Sequence, residues 1–327
     1  MKKYMVPMMA VLASCAALAQ SNATISGGVV IGLKHASAKA SGTASKNSLE
    51  NLDAAGSNIT FRTVEDLGGG LKASAILNYR FNPTDGSTGA GHDHFANTKL
   101  SLSGSFGAVS MGRFWGPVDG LLRPSLDVYT PLGLGTTVFG GPLDASTRYN
   151  GMLMYETPEM KGFVAGVAFV PKASMTGNKV NTTELALRYK VGPLALGLGV
   201  TKNAGVSPSA RDNIEGKDVL TVGGSYDFGV ARAGLTYSNV DAYGTTAESD
   251  RWSTAVRVPL GGSAVVKIGY ENQKFKGGAR TSALALGGEY SLSKRTMLFA
   301  EAGKVRSDTP SRDETGLTYI TGIRHRF

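Results

Sequence analysis

Apolar and polar residues alternate along most of the chain, which is the pattern of β-strands whose two faces meet different surroundings. In residues 71–81 the odd positions are apolar and the even positions are mostly polar, and residues 222–228 follow the same rule. Tight joints such as Gly192-Pro193 alternate with longer polar loops such as residues 36–56. This punctuation predicts antiparallel hairpins with short turns at one end and long loops at the other.

The alternating segments predict sixteen strands. They begin near residues 23, 57, 71, 95, 107, 147, 162, 181, 193, 218, 230, 249, 263, 281, 294 and 315. One connection departs from this rhythm, because about thirty residues of low periodicity separate Trp115 from Thr147. A loop of that length in a compact fold usually has a function. It is either an exposed loop or a loop that folds into the interior.

Two all-β architectures alternate in this way, a soluble sandwich and a transmembrane barrel. A sandwich usually ends near ~100–250 residues, whereas this chain has 327. Aromatic residues near many predicted strand ends favour a barrel, since such residues form girdles at the two membrane interfaces. They are Phe95, Trp115, Tyr155, Phe163, Tyr189, Phe228, Trp252, Phe275 and Tyr290. We therefore expect an antiparallel transmembrane β-barrel.

Composition agrees with this fold and excludes others. Glycine accounts for 44 residues, which are scattered along the chain. Charged residues make up 18% of the chain, below the typical ~25%, which argues against a disordered protein. Outside the first twenty residues no apolar stretch approaches the ~18 residues of a transmembrane helix, which excludes a helical membrane protein.

The N-terminus has the order of a secretory signal peptide. Lys2 and Lys3 precede an apolar stretch that ends at Ala19 with small residues. We predict a signal peptide over 1–19 and a barrel domain over 20–327. Cys15 also fits a lipoprotein processing site, which is the alternative. Cleavage after Ala19 removes two of the 34 Lys and Arg residues and none of the 25 Asp and Glu, which leaves a charge of +7.

Five short motifs give the chain a family resemblance. They are residues 65–73 (EDLGGGLKA), 102–109 (LSGSFGAV), 111–113 (MGR), 155–163 (YETPEMKGF) and 322–327 (GIRHRF). In this order the chain resembles the Gram-negative general porins, in particular those of β-proteobacteria. The resemblance implies a sixteen-stranded barrel, assembled as a homotrimer in the outer membrane, with the third long loop folded inward.

The same resemblance implies the lining of a pore, in which basic wall residues oppose acidic loop residues. The basic candidates are Arg62, Arg80, Arg113 and Arg148, and the acidic candidates are Asp119 and Asp127. Alternation also places Arg62 and Arg80 on the lumen side. Asn58 and Ala96 stand where the family often has arginine, and Lys99 has the opposite parity to Ala96. The implied function is passive diffusion of small hydrophilic solutes and ions with a mild anion preference.

The last strand resembles the signal that the barrel assembly machinery recognises. Alternate residues from Leu317 to Phe327 are largely apolar and end in an aromatic side chain. Besides that machinery, the expected partners are outer-membrane lipid and lipopolysaccharide. No cofactor and no nucleic acid are expected, since the basic residues form no concentrated patch.

Other functions stay open as alternatives. Within transport, the rival is a substrate-specific porin. From another class, the rival is a non-conducting barrel that acts as an adhesin or anchor. An enzyme is disfavoured because the sequence lacks the common nucleophile-elbow, metalloprotease and P-loop motifs. His92-Asp93-His94 offers at most a weak metal site in a polar loop.

Overall fold

A computed structural model of the chain describes residues 22–38, 45–52, 56–88, 95–129, 148–172, 180–204, 217–242, 247–310 and 312–327. The predicted signal peptide, including Cys15, lies outside these residues, as do His92, Asp93 and His94. No helix in the described ranges is both long enough and apolar enough to cross a membrane.

The structure is almost entirely β-sheet. Its strands are β1 (Asn22–Ala38), β2 (Lys46–Glu50), β3 (Ser57–Gly68), β4 (Leu71–Phe81), β5 (Phe95–Gly104), β6 (Gly107–Trp115), β7 (Arg148–Glu156), β8 (Phe163–Val170), β9 (Thr182–Val191), β10 (Leu194–Ala204), β11 (Lys217–Asp227), β12 (Arg232–Val240), β13 (Ser249–Pro259), β14 (Ala264–Phe275), β15 (Arg280–Ser291), β16 (Thr296–Thr309) and β17 (Arg312–Arg326). A π-helical turn (Val118–Leu122) and an α-helical turn, α1 (Arg123–Leu126), follow β6.

The sheet closes on itself as an antiparallel barrel. From β3 to β17 each strand pairs with the next, and β1 pairs with β17 on one side and with β2 and β3 on the other. Because β2 and β3 share one position beside β1, the seventeen segments occupy sixteen positions in the wall. The predicted sixteen-stranded barrel is thus confirmed. Each of the sixteen wall positions that the structure describes thus has a paired neighbour on both sides, which is what a membrane interior requires.

The sequence predicts one loop over residues 36–56, but the structure has strand residues within this range. β1 continues to Ala38, and β2 (Lys46–Glu50) lies within that range. The sequence here shows little alternation, so the pairing of β2 with Gly32–Ala36 of β1 is set by closure of the barrel rather than by a local pattern.

The two faces of the wall differ as the alternation predicts. Large apolar side chains such as Leu198 on β10 and Ile268 on β14 are exposed on the outer face, where lipid covers them in a membrane. Their sequence neighbours Gly199 and Lys267 face inward. Outer and inner positions therefore follow from the paired register, because residues directly opposite each other share a face.

Candidate functional site: the lumen of the barrel

After β6 the chain turns into the barrel. Residues 116–129, hereafter the inward segment, carry the two helical turns and lie against the inner wall. Leu122 and Leu126 approach Gly197 on β10, whose neighbours Leu196 and Leu198 are exposed on the outer face. The described part of the long connection therefore lies on the inner face of the wall.

An apolar cluster attaches the inward segment to the wall. Four of its side chains pack against inner-face residues of β8, β9, β11 and β12. The members are Val118, Leu121, Leu122, Leu126, Val164, Ala186, Val219 and Val240, all at most 6% exposed. Complete burial of a side chain of this size stabilises by about 1.5–3 kcal/mol, so the cluster fixes the segment firmly.

The wall beneath the inward segment is built of small residues. The inner glycine patch consists of Gly166, Gly197, Gly199, Gly223, Gly234 and Gly287. A Cβ atom at Gly199 would lie 3.0 Å from Cγ2 of Val118, and one at Gly166 would lie 2.7 Å from Cβ of Pro117. Side chains at these positions would therefore displace the segment. The glycines permit the close approach of segment and wall.

The first end of the inward segment is held by Glu184 of β9. Its Oε2 accepts a hydrogen bond from the backbone N–H of Val118 at 3.3 Å. Its Oε1 accepts from the hydroxyls of Tyr149 at 2.7 Å and Thr201 at 3.3 Å. Glu184 is 1% exposed, so this carboxyl group holds the inward segment and does not face the water-filled space.

The last described residue of the inward segment, Tyr129, is held at a different part of the wall, on β14. Lys267 Nζ lies 4.6 Å from the centre of the Tyr129 ring and pairs with Glu289 at 2.9 Å and Glu301 at 2.7 Å. Arg257 pairs with the same Glu289 at 2.7 Å. Burial, followed by the charges of Glu301 and Glu289, raises the pKa of the Tyr129 hydroxyl, which therefore stays protonated.

The two predicted acidic residues lie on the inward segment, where Arg123 neutralises much of their charge. Asp119 Oδ1 is 2.5 Å from Arg123 Nε, and Asp127 Oδ2 is 3.6 Å from Nη1 of the same guanidinium. Asp119 and Asp127 are only 4% and 7% exposed. The three residues together carry a net charge of −1, so the acidic face expected of this segment is weaker than its two aspartates suggest.

Two of the predicted basic residues lie on inner-face rows of the wall. Arg62 is paired with Ile76, and the next row, Phe61 with Leu77, is the outer one, with both side chains 47% exposed. Arg80 is paired with Asn58, which also faces inward.

The wall between these arginines is polar. Asn78 Nδ2 donates to Asn58 Oδ1 at 2.9 Å and to Thr60 Oγ1 at 2.7 Å. This polar patch faces the lumen, because Asn58 is in the inner row of Arg80 and Thr60, paired with Asn78, lies between that row and the inner row of Arg62.

Lys99 joins this basic wall, although its parity relative to Ala96 predicts otherwise. The register shifts at Ala96: Asn78 is opposite Asn97, whereas Tyr79 is opposite Phe95. Ala96 is thus a bulge residue, fully buried, and parity does not carry across it. Lys99 is opposite Ile76 in the row of Arg62, and its Nζ lies 5.2 Å from the centre of the Phe114 ring.

Arg113 and Arg148 lie at the end of the barrel where the inward segment begins. Alternation in β6 is interrupted at Gly112, where φ is +134°, so these residues are located by their contacts. Arg113 Nη1 donates to Asn150 Oδ1. Arg148 stacks on Trp115, with 4.0 Å between guanidinium carbon and ring centre, and donates to Asn97 Oδ1 at 3.2 Å.

The charged network of Arg257, Lys267, Glu289 and Glu301 is absent from the residues predicted from the sequence. A signal for it was present, because Lys267 lies between Val266 and Ile268, both exposed on the outer face. A charged residue that alternates with lipid-facing ones has to face inward. The partners within the network come from four different strands, which local alternation does not identify.

Phe327 closes the wall beside β1. Its backbone N–H donates to Gly27 O at 3.1 Å and its carbonyl accepts from Gly27 N at 3.0 Å. A Cβ at Gly27 would lie 2.8 Å from Cζ of Phe327. The ring is 45% exposed.

Among the residues that the structure describes, no group of three or more His, Cys, Asp or Glu side chains could hold a metal ion.

A closed antiparallel barrel with an apolar outer face, a polar inner wall and an inward segment defines a channel of the porin class. The chain belongs to the Gram-negative porin family, whose model matches residues 8–310. It is 30% identical to outer membrane porin protein 32 of Delftia acidovorans, with 100% of both chains covered. An outer membrane porin of Bordetella pertussis is 26% identical and covers 83% of this chain and 82% of its own.

Solved structures agree in fold. The anion-selective porin from Comamonas acidovorans superimposes with a TM-score of 0.76 at 25% identity, over 94% of this chain and 100% of its own. OmpT of Vibrio cholerae, at 17% identity, has a TM-score of 0.68 over 94% of this chain and 98% of its own. The protein is thus an outer-membrane porin that forms a water-filled channel.

Proposed function

We propose that the channel admits small hydrophilic solutes and ions by passive diffusion with a mild preference for anions. The observation that carries this proposal is the basic wall of β3, β4 and β5, where Arg62, Arg80 and Lys99 occupy inner rows. Fixed positive charge along a narrow aqueous path raises the local concentration of anions and disfavours cations.

The negative charges of the lumen are largely compensated. Arg123 neutralises much of the charge of Asp119 and Asp127, and Lys267 with Arg257 compensates Glu289 and Glu301. The overall charge of +7 expected after removal of residues 1–19 has the same sign. The similarity to a porin described as anion-selective also supports this direction.

The positions of Arg113 and Arg148 extend the proposal to the rim of the barrel. Arg148 contacts Asn97, which is paired with the inward-facing Asn78. We assign both arginines to the entrance of the constricted region, where they add to the field of Arg62, Arg80 and Lys99. No catalytic role is assigned to any residue.

The test is a reversal potential in a planar bilayer. With a tenfold KCl gradient near neutral pH, the wild-type channel is expected to give a potential of the sign set by chloride. A potential of the opposite sign would mean that the carboxylates dominate the lumen, and absence of conductance would exclude a diffusion channel altogether.

We further propose that the porin is a homotrimer, with a signal peptide over 1–19 and Phe327 as part of the assembly signal. Unheated protein from outer membranes is expected to migrate on gels as a species larger than the boiled monomer. Sedimentation of the gently extracted protein as a monomer would refute the trimer. N-terminal sequencing is expected to start at Gln20.

A further inference from the structure

The outer face of β12 to β15 changes from apolar to charged along the strands. The paired register arranges its residues in rows across the sheet. One outer row is apolar and consists of Ala233, Val256, Ile268 and Leu286. Further along β14, an aromatic and polar row consists of Tyr237, Trp252, Asn272 and Ser282. The next outer row is polar and charged, and it consists of Asn239, Asp250, Lys274 and Arg280.

The charged row lies near the end of the barrel that faces the cell exterior. The connections 116–147 and 241–248 leave the wall at this end, whereas short turns such as 192–193 lie at the opposite end. In outer-membrane barrels the short turns face the periplasm and the longer loops face the exterior. The charged row is therefore at the level of the outer leaflet, which in Gram-negative bacteria consists largely of lipopolysaccharide.

A crevice of about 460 Å³ opens on the outer face between the aromatic and the charged row. The aromatic side of this outer crevice is formed by Tyr237, Trp252 and Tyr270, and its charged side by Lys274 and Arg280. The ring centres of Tyr237 and Trp252 are 4.7 Å apart, and Trp252 is 51% exposed. The volume falls in the range of ~300–1,000 Å³ that is usual for sites that bind small molecules.

The two cations of the outer crevice have no carboxylate partner. The side-chain oxygen of Asn272 accepts from Arg280 Nε at 2.8 Å and from Nη2 at 3.1 Å, so a neutral group orients this guanidinium. Lys274 lies opposite Asp250 in the register, but Asp250 accepts from the hydroxyl of Tyr237 instead. Within the described part of the chain, neither Lys274 nor Arg280 forms an ion pair.

The other carboxylates near the outer crevice are paired with other cations. Glu248 pairs with Lys276 at 2.5 Å. Arg306 pairs with Asp308 at 2.6 Å and with Asp313 at 3.5 Å. The ammonium group of Lys274 and the guanidinium of Arg280 are both exposed, and they therefore remain available to an anion that reaches the outer face.

We propose that the outer crevice binds lipopolysaccharide, with a phosphate of the lipid A headgroup between Lys274 and Arg280. Phosphate oxygens accept charge-assisted hydrogen bonds from both cations, and basic pockets at a membrane surface bind anionic headgroups in this way. An acyl chain of the same molecule lies against Trp252 and continues along the apolar row. The site is outside the channel, so this inference goes beyond the proposed function and does not depend on ion preference.

The first experiment measures the affinity of the purified, folded porin for rough lipopolysaccharide by native mass spectrometry. The double variant Lys274→Gln/Arg280→Gln is expected to bind at least ~10-fold more weakly, because it loses two charge-assisted hydrogen bonds. The control is Lys294→Gln/Arg295→Gln, which removes the same charge from exposed residues of a short turn at the opposite end. The control is expected to keep the affinity of the wild type.

Conductance separates this inference from the proposed function. Lys274 and Arg280 are on the outer face, so the conductance of the double variant is expected to match that of the wild type, which also shows that it folds. If this variant binds lipopolysaccharide as tightly as the wild type does, the outer crevice is not the site. Equal affinity of the wild type for phosphatidylglycerol, or displacement of lipopolysaccharide by inorganic phosphate, would overturn the assignment of the ligand.

The second experiment places the lipid at the crevice itself. The chain has two tryptophans, Trp115 and Trp252, so the fluorescence of a Trp115→Phe variant reports only on the crevice. In vesicles of brominated phosphatidylglycerol this fluorescence is quenched by contact with the acyl chains. Lipopolysaccharide is expected to restore it, and addition of Lys274→Gln/Arg280→Gln to that variant should raise the required concentration at least ~10-fold. Fluorescence that stays quenched would overturn the proposal.

Discussion

The ammonium group of Lys267 lies 4.6 Å from the centre of the Tyr129 ring and is fully buried between Glu289 and Glu301. A lysine on β14 thus holds the end of the described inward segment while it balances two carboxylates of the wall. Shape and charge of the lumen are coupled at this point, because loss of one cation affects both.

Lys267→Ala is therefore expected to destabilise the barrel. Removal of one partner from a buried ion pair leaves an uncompensated charge and costs about 3–5 kcal/mol. The temperature at which the folded species disappears from gels is expected to fall, and conductance is expected to rise as Tyr129 is released. The matched control is Lys304→Ala, because Lys304 of β16 is exposed. Equal stability of the two variants would contradict the role of Lys267.

Gly199→Val is expected to displace the inward segment. A Cβ at Gly199 already lies 3.0 Å from Val118, and overpacking of this kind costs about 1–3 kcal/mol. Single-channel recording should give a larger or more variable conductance. Gly288→Val is the control, since the nearest atom to a Cβ at outward-facing Gly288 is 4.0 Å away. An unchanged conductance of folded Gly199→Val would argue against tight contact between segment and wall.

Lys99→Gln and Arg80→Gln are expected to reduce anion preference. Each change removes one positive charge from the basic wall and keeps a polar side chain. At ~0.1 M salt the screening length is ~10 Å, whereas at ~1 M it is ~3 Å, so the loss should be large at low salt and small at high salt.

Arg148→Ala is expected to act in the same direction, and Lys304→Gln on the outer face is the control. Reversal potentials across a KCl gradient provide the measurement. If all three lumen variants retain the selectivity of the wild type at low salt, the charge assignment is wrong.

Deletion of Phe327 is expected to impair assembly. The deletion removes two backbone hydrogen bonds to Gly27 and the ring that packs beside it, at the point where the last strand closes on the first. The exported chain should then accumulate less in the outer membrane, as measured by immunoblots of fractionated cells. Phe327→Tyr keeps both the aromatic ring and the backbone and serves as the control. Normal accumulation of the deletion variant would exclude the assembly role.

Much of the wall is predictable from sequence because lipid and water impose a strict alternation on every strand. The predicted starts of β3, β4, β5 and β6 agree with the structure, and the start of β17 differs by three residues. Prediction fails where the period is interrupted. The bulge at Ala96 reverses parity and hides Lys99, and β2 lies within a segment that the sequence predicts as a loop.

A local sequence pattern also does not predict which charged residues pair with each other. Asp119 and Asp127 are recognisable as residues of a long loop, but their neutralisation by Arg123 depends on two helical turns that follow from packing on the wall. Glu184 resembles any polar residue of an alternating strand. Its hydrogen bond to Val118 joins two residues more than sixty positions apart in the chain, and it forms only because the inward segment packs against the wall.

The inner glycine patch has a consequence for exchange of loops between related channels. Gly197, Gly199 and Gly223 leave space on the wall that fits the side chains of this particular inward segment. A loop from another porin, grafted after β6, would not fit that space. Recombination that separates the inward segment from strands β8 to β12 would combine a loop and a wall that do not pack together. The inward segment and these strands must therefore be inherited, or transferred by engineering, together.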